Sequence, residues 1–84
     1  MTSLLRLFLR WCGQLRDFGL QHLYTMKNLK VLSLAGCNQV TSNGLMGLSQ
    51  LRGLEELELT NCVGATDTVC LYLKQTISHC LIIE

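Results

Sequence analysis

Two spacings of apolar residues alternate along the chain. Leucines two positions apart, as at Leu32 and Leu34, are typical of a strand with one buried face. Apolar residues three positions apart, as at Leu45 and Leu48, are typical of a helix that buries one side. The strand pattern comes first, the helix pattern follows, and the order then repeats. This alternation predicts an α/β chain with parallel strands.

The order repeats every 25 residues, and one cysteine marks each copy at Cys12, Cys37 and Cys62. Apolar positions around the cysteines keep the same step, in the sets Leu4, Leu29 and Leu54; Leu7, Leu32 and Leu57; Leu9, Leu34 and Leu59; and Leu23, Leu48 and Leu73. Register over so many positions predicts internal repeats. The predicted repeats span about 4–28, 29–53 and 54–78, and a half-repeat strand at 80–84 follows them.

A strand and a helix within 25 residues leave no room for a wider crossover connection. We therefore predict a leucine-rich-repeat solenoid, a short curved stack of parallel strands on the inside and helices on the outside. Met1 occupies the same repeat position as Met26, and no polar capping segment precedes the first strand. We accordingly expect the chain to be a fragment of a longer solenoid, with an open number of repeats upstream.

Polar residues open the helical halves of the repeats. Asp17, Ser42 and Asp67 share one repeat position, and their side chains can accept hydrogen bonds from free amides at a helix start. The sequence therefore predicts that they are N-caps. The third helix is expected to be longer, with one apolar face formed by Val69, Cys70, Leu73 and Ile77.

Composition excludes several classes of function. Seven Lys and Arg residues against six Asp and Glu residues give a net charge of +1, which favours neither nucleic acid nor an anionic membrane surface as a partner. The opening MTSLLRLFLRWCG contains Arg6 and Arg10 and lacks a small-residue cleavage site, so we interpret it as mature sequence. Five cysteines without a secretion signal predict free thiols in a reducing compartment, the cytoplasm or the nucleus.

The cysteine series is a poor candidate for a metal site. Successive strands lie about 4.8 Å apart, whereas zinc–sulfur bonds are about 2.3 Å long, so a straight row of thiols cannot close a tetrahedral site. We interpret Cys12, Cys37 and Cys62 as small buried hydrophobic residues, and the burial of Cys80 stays open. Neither histidine has an obvious nucleophile and orienting carboxylate nearby. We therefore predict no metal, no cofactor and no enzyme activity.

Residues that flank the buried leucines of each strand are predicted to face the open inner surface. The candidate partner-binding residues are Arg6, Phe8, Arg10, Trp11, Val31, Ser33, Glu56 and Glu58. They change from basic and aromatic, through small and neutral, to acidic. Arg6 and Glu56 are expected two strands, roughly 10 Å, apart, where their attraction in water is only about 0.4 kcal/mol. We therefore expect these charges to serve a protein partner rather than each other.

An ordinary solvated face is the alternative interpretation of these side chains. Phe8 favours binding, because an aromatic side chain on an open sheet is suited to anchoring a partner. Trp11 lies at the strand's exit, where it either covers the turn or extends the same surface.

A family resemblance is carried by LRWCGQLRDFGLQHL, LSLAGCNQVTSNGL, LEELELTNCVGATD and the closing HCLIIE. In these stretches a cysteine is followed by an aliphatic residue and a polar pair that opens the helix. The pattern resembles the cysteine-containing leucine-rich repeats of F-box proteins, over essentially the whole chain. The VTS and ATD segments match well, whereas LRD keeps the aspartate without the threonine.

The resemblance implies a function in substrate recruitment. In that family the repeats hold a protein target while an F-box, which is not contained in this chain, engages the core of an SCF ubiquitin ligase. The leading hypothesis is therefore a protein-interaction module of a ubiquitin-ligase adaptor. The alternative is a regulatory or scaffolding repeat protein that acts without a ligase. No residue identifies the target protein.

Overall fold

The computed structural model describes residues 5–84, in which four strands form one parallel sheet. The strands are β1 (Arg6–Phe8), β2 (Val31–Ser33), β3 (Glu56–Glu58) and β4 (Leu81–Ile83), and they lie side by side in chain order. The helices between them are α1 (Asp17–Leu20), α2 (Ser42–Met46) and α3 (Asp67–Thr76). Short 3-10 turns follow the first two helices, at Leu23–Thr25 and Gly47–Gln50. The prediction of an α/β chain with a parallel sheet is confirmed.

Strand pairing follows the 25-residue step of the sequence, since Leu7 pairs with Leu32, Leu32 with Leu57, and Leu57 with Ile82. Successive side chains of a strand point to opposite faces, so this register places all four on one side of the sheet. Leu32 and Leu57 are completely buried there. On the other side of the sheet, Phe8, Glu56 and Leu81 are exposed. One face of the sheet is thus covered by the helices and the other is open.

The core lies between the sheet and the helices, and it is less complete at β1. Leu32, Leu34 and Cys37 are fully buried, whereas Leu7 and Leu9, one step earlier, are only partly buried. The reason is that β1 is an edge strand of the sheet that residues 5–84 form. Met1 and Leu4, which entered the repeat prediction, lie outside the described residues. The predicted apolar face of the third helix is confirmed, because Val69, Cys70 and Leu73 of α3 and its C-cap residue Ile77 are all buried.

The cysteines at 25-residue spacing do more than fill space. The Cys37 thiol donates a hydrogen bond to the carbonyl oxygen of Leu9 at 2.8 Å, and Cys62 donates one to Leu34 over the same distance. Each thiol therefore reaches from one strand's exit to the carbonyl of the preceding strand. The Leu34 oxygen also accepts a hydrogen bond from the Cys37 amide at 3.0 Å, so the thiol adds a second, weak donor in a small apolar side chain. Leucine or alanine at this position would leave the carbonyl without that partner.

The helices begin where the sequence predicts, but the N-caps are displaced by one residue. Asp17, Ser42 and Asp67 are the first helical residues, and the caps are the residues that precede them. Thr66 caps α3 by accepting a hydrogen bond from the amide of Val69 at 3.3 Å. The prediction of Asp17, Ser42 and Asp67 as N-caps is therefore wrong, because threonine or arginine in the extended conformation occupies the cap position.

The displaced polar residues instead connect successive helices. The Asp17 carboxylate accepts hydrogen bonds from the Thr41 amide, at 2.7 Å, and from the Thr41 hydroxyl. In the next connection the Ser42 hydroxyl donates to the carbonyl oxygen of Gly64 at 2.8 Å. Each bond joins the start of one helix to the segment that leads into the next, and so fixes the spacing of the helical layer.

We expect Asp17→Ala to lower the free energy of unfolding by about 1–2 kcal/mol more than Asp67→Ala. Both aspartates begin a helix, and the dipole of the ten-residue α3 favours Asp67 more than that of the four-residue α1 favours Asp17, so the dipole does not account for the expected difference. Only Asp17 also bonds to the following connection, whereas Asp67 is exposed. Urea unfolding followed by circular dichroism measures the difference. Equal losses in the two variants would show that the Asp17–Thr41 link does not stabilise the fold.

Candidate interaction surface

The open face of the sheet carries its side chains in rows that cross the strands. Strand pairing puts Arg6, Val31, Glu56 and Leu81 in one row, and Phe8, Ser33, Glu58 and Ile83 in the next. We call these eight residues, together with Arg10, the inner face. Since neighbouring strands lie about 4.8 Å apart, each row is about 14 Å long. All of the predicted partner-binding residues except Trp11 belong to this inner face.

A hydrogen-bonded group occupies the centre of the inner face. The Arg10 Nε atom donates to Ser33 Oγ and to Glu58 Oε1, at 3.1 Å in each case. The Ser33 hydroxyl also donates to Glu58 Oε1, at 2.6 Å, and Arg10 Nη2 lies 3.0 Å from the same carboxylate oxygen. The guanidinium carbon is 5.1 Å from the centre of the Phe8 ring, within range of a cation–π contact. We call Phe8, Arg10, Ser33 and Glu58 the Arg10 cluster.

This cluster corrects two expectations from the sequence. The charges were expected to serve a partner rather than each other, which is wrong for Arg10 and Glu58, because they form an ion pair. Ser33 was expected to contact a partner, but only 1% of its surface is exposed, since it lies under the ion pair. The expectation that the charges would not pair was based only on side chains that lie directly opposite each other on the strands. Arg10 is long enough to reach diagonally over β2 to β3.

The electrostatics of the inner face follow from the cluster. Hydrogen bonds from the Ser33 hydroxyl and then from Arg10 hold the pKa of the Glu58 carboxyl below its ordinary value. Glu58 is therefore ionised at neutral pH, and its charge is balanced by Arg10. Within residues 5–84, neither Arg6 nor Glu56 forms an ion pair. The charges still available to a partner are thus a cation on β1 and an anion on β3.

A depression of about 120 Å³ is lined by the Arg10 cluster together with Val31, Leu32, Glu56 and Ile83. Phe8 is 53% exposed, Leu81 59% and Ile83 38%, so apolar surface borders the depression at both ends of the rows. The sequence prediction missed Leu81 and Ile83. The signal was present, because these residues stand 25 positions after Glu56 and Glu58 and extend the same rows onto β4.

Trp11 both covers the turn and extends the exposed surface, which are the two alternatives that the sequence left open. Its backbone has a φ of 59°, in the left-handed region, and Gly36 and Asn61 adopt the same conformation at φ values of 76° and 61°. The indole ring lies against Gly36, where a β-carbon would overlap it, so Trp11 covers the following turn. The side chain is nevertheless 66% exposed. Trp11 therefore extends the apolar surface at the exit of β1, outside the rows.

Thiols contribute little reactivity to this surface. All five cysteines are free, and Cys80, whose burial was open, is 7% exposed. Burial raises the pKa of the Cys37 and Cys62 thiols, and it raises that of Cys80 to about 11. Such thiols remain protonated at neutral pH and are poor nucleophiles. Within residues 5–84, no three His, Cys, Asp or Glu side chains are grouped as a metal site requires, and no helix is long and apolar enough to cross a bilayer.

No protein-family model matches the chain, and no curated protein matches it either.

We expect Ser33→Ala to raise the pKa of Glu58 toward the ordinary glutamate value, since the Ser33 hydroxyl is the main cause of its lowering. The carboxyl carbon shift of Glu58, followed by NMR during a pH titration, measures this change. Ser49→Ala, at a half-buried serine outside the inner face, is the control and should leave the pKa of Glu58 unchanged. An unchanged pKa of Glu58 in Ser33→Ala would show that the hydroxyl does not bond the carboxylate in solution.

Alkaline pH should destabilise the fold through its buried thiols. The pKa of Cys80 is raised to about 11 in the folded chain, so between about pH 9 and pH 11 the unfolded chain has lost the thiol proton that the folded chain retains. The unfolded state then binds fewer protons, and the free energy of unfolding must fall as pH rises through this window. Urea unfolding at pH 8 and pH 10 measures the slope. Cys80→Ala should make the slope shallower, and an unchanged slope would contradict the assignment to Cys80.

Proposed function

We propose that the chain is part of a leucine-rich-repeat solenoid and acts as a protein-interaction module, the substrate-recruiting part of an F-box-type SCF ubiquitin-ligase adaptor. The observation that carries the proposal of binding is the Arg10 cluster, which holds a half-exposed aromatic ring and an ion pair on the open face of the sheet. The solenoid is supported by features that recur at a 25-residue step, namely strand pairing, left-handed turns and thiol hydrogen bonds.

The cluster suits binding because contacts within the chain hold its side chains in place. Arg10 is positioned by Ser33, Glu58 and the Phe8 ring at once. A side chain that is already immobilised loses little conformational entropy when a partner arrives, and arginine and aromatic residues contribute strongly to interfaces. The exposed ring of Phe8 is costly to leave in water and is stabilised when a partner covers it.

The role in a ubiquitin ligase is supported by the resemblance of the repeats to those of F-box proteins. In this role the inner face holds the target protein, and an F-box outside this chain contacts the ligase core. Free thiols in all five cysteines agree with a cytoplasmic or nuclear protein, because reducing compartments preserve them. A scaffold with the same inner face and no ligase is the alternative function.

The proposal is tested by placing a photo-crosslinking amino acid at Phe8 and, as a control, at Thr68, an exposed position on α3. In living cells we expect position 8 to crosslink to a defined protein that position 68 does not capture. Adding Arg10→Ala should reduce this crosslink several-fold, because it removes the guanidinium group and its ion pair with Glu58 from the centre of the proposed contact surface. Equal capture at both positions would contradict binding at the inner face.

The captured protein then separates the adaptor from the scaffold. If the chain belongs to an SCF adaptor, overexpression of the full protein should shorten the half-life of the target, and an inhibitor of cullin neddylation should restore it. A target that binds through position 8 but whose half-life does not respond would favour the scaffold. Pulse-chase measurement of the target, with the Arg10→Ala variant as control, distinguishes the two.

A further inference from the structure

We propose that the partner segment on the inner face is an amphipathic α-helix that crosses the four strands and presents an acidic, an apolar, a basic and a second apolar residue on successive turns. This inference rests on the proposed function, because it names the class of partner for the same surface. It follows from the order of side chains in one row and from the spacing of that row.

The order of side chains specifies the order of partner residues. Arg6, Val31, Glu56 and Leu81 lie side by side on β1, β2, β3 and β4. Arg6 and Glu56 form no ion pair within residues 5–84, so each remains available for a residue of opposite charge. Val31 is half-buried and lines the depression, and Leu81 is exposed. The complementary row is therefore acidic, apolar, basic and apolar.

The spacing of the row favours a helix over an extended peptide. Four strands span about 14 Å between the first and the last. A helix that crosses the strands presents one side chain per turn, and its pitch is about 5.4 Å. Four such side chains on successive turns therefore span about 16 Å from first to last. An extended peptide presents side chains on one face every 6.6–6.8 Å or so, and four of them span about 20 Å. Over the whole row, the length of the helix thus differs from that of the row by about 2 Å, and the length of the extended peptide by about 6 Å.

The second row of the inner face would fix the position of the helix along the direction of the strands. Phe8 and Ile83 rise at the two ends of this row, while Ser33 between them is covered by the Arg10–Glu58 pair. The apolar residue of the partner's second turn meets the depression, whose volume of about 120 Å³ accommodates one aliphatic side chain. Phe8 and Ile83 would flank the helix rather than lie under it.

The test uses two synthetic peptides held helical by a hydrocarbon cross-link on their outer side. One carries Glu, Leu, Lys and Leu, with the last three placed four, seven and eleven residues after the first, and the other has Glu and Lys exchanged. NMR titration gives the dissociation constants and the residues contacted. The wild-type chain should bind the first peptide about fivefold more tightly, as expected for two exposed ion pairs. The exchanged chain Arg6→Glu/Glu56→Lys should prefer the second peptide by a similar factor.

Controls keep the outcomes separable. Both altered positions are exposed, and circular dichroism verifies that the exchanged chain is folded. A peptide that carries the same Glu, Leu, Lys and Leu residues, but has no cross-link and has one central residue replaced by proline, should bind several-fold more weakly. Equal binding of the two helical peptides, no binding at millimolar concentration, or tighter binding of the proline peptide would each overturn the helical partner. Crosslinking from position 8 in cells would still succeed in those cases if the proposed function is right and only the class of partner is wrong.

Discussion

The in-register pairing of equivalent strand positions is the constraint on which the rest of the molecule depends. Leu7, Leu32, Leu57 and Ile82 lie in one line on the covered side of the sheet. A slip of one residue in any strand would turn its leucine toward water and its polar neighbours into the core. The same pairing that buries the leucines therefore creates the rows of the inner face. One strand register therefore determines both the buried core and the candidate surface.

That register is why the sheet could be predicted from sequence and the helix caps could not. The strand step is supported by apolar residues in every copy, and burying each apolar side chain stabilises the fold by about 1.5–3 kcal/mol. The choice of cap is decided by far smaller differences, since aspartate, serine and threonine are all good N-caps. Asp17 and Ser42 gain more by bonding to the next connection. No pattern within one repeat shows a hydrogen bond to the following one.

Cys80 and Arg10 are two residues whose surroundings cannot be predicted by counting 25-residue steps along the sequence. Counting 25 residues from Leu54 leads to His79, which is exposed, whereas Cys80 is buried. The amides of Leu29 and Leu54 bond to the carbonyls three residues earlier, and Cys80 bonds to Ile77 in the same way. Cys80 thus takes the place of those leucines after a one-residue shift that follows the longer helix α3. Likewise the step finds residues directly across the sheet, while Arg10 bonds diagonally to Glu58.

The diagonal ion pair between Arg10 and Glu58 separates the charged residues of the inner face into a paired group and an unpaired group. Arg10 and Glu58 neutralise each other and order Phe8 and Ser33, so they contribute a rigid, almost neutral centre. Arg6 and Glu56, one row away, have no such partner within residues 5–84. Charges that are exposed and separated by roughly two strands contribute little to folding, because water screens them from each other. Their cost to the fold is small, so in the proposed interface their order across the sheet is free to serve specificity, whereas the cluster in the neighbouring row would supply the preorganised contact area.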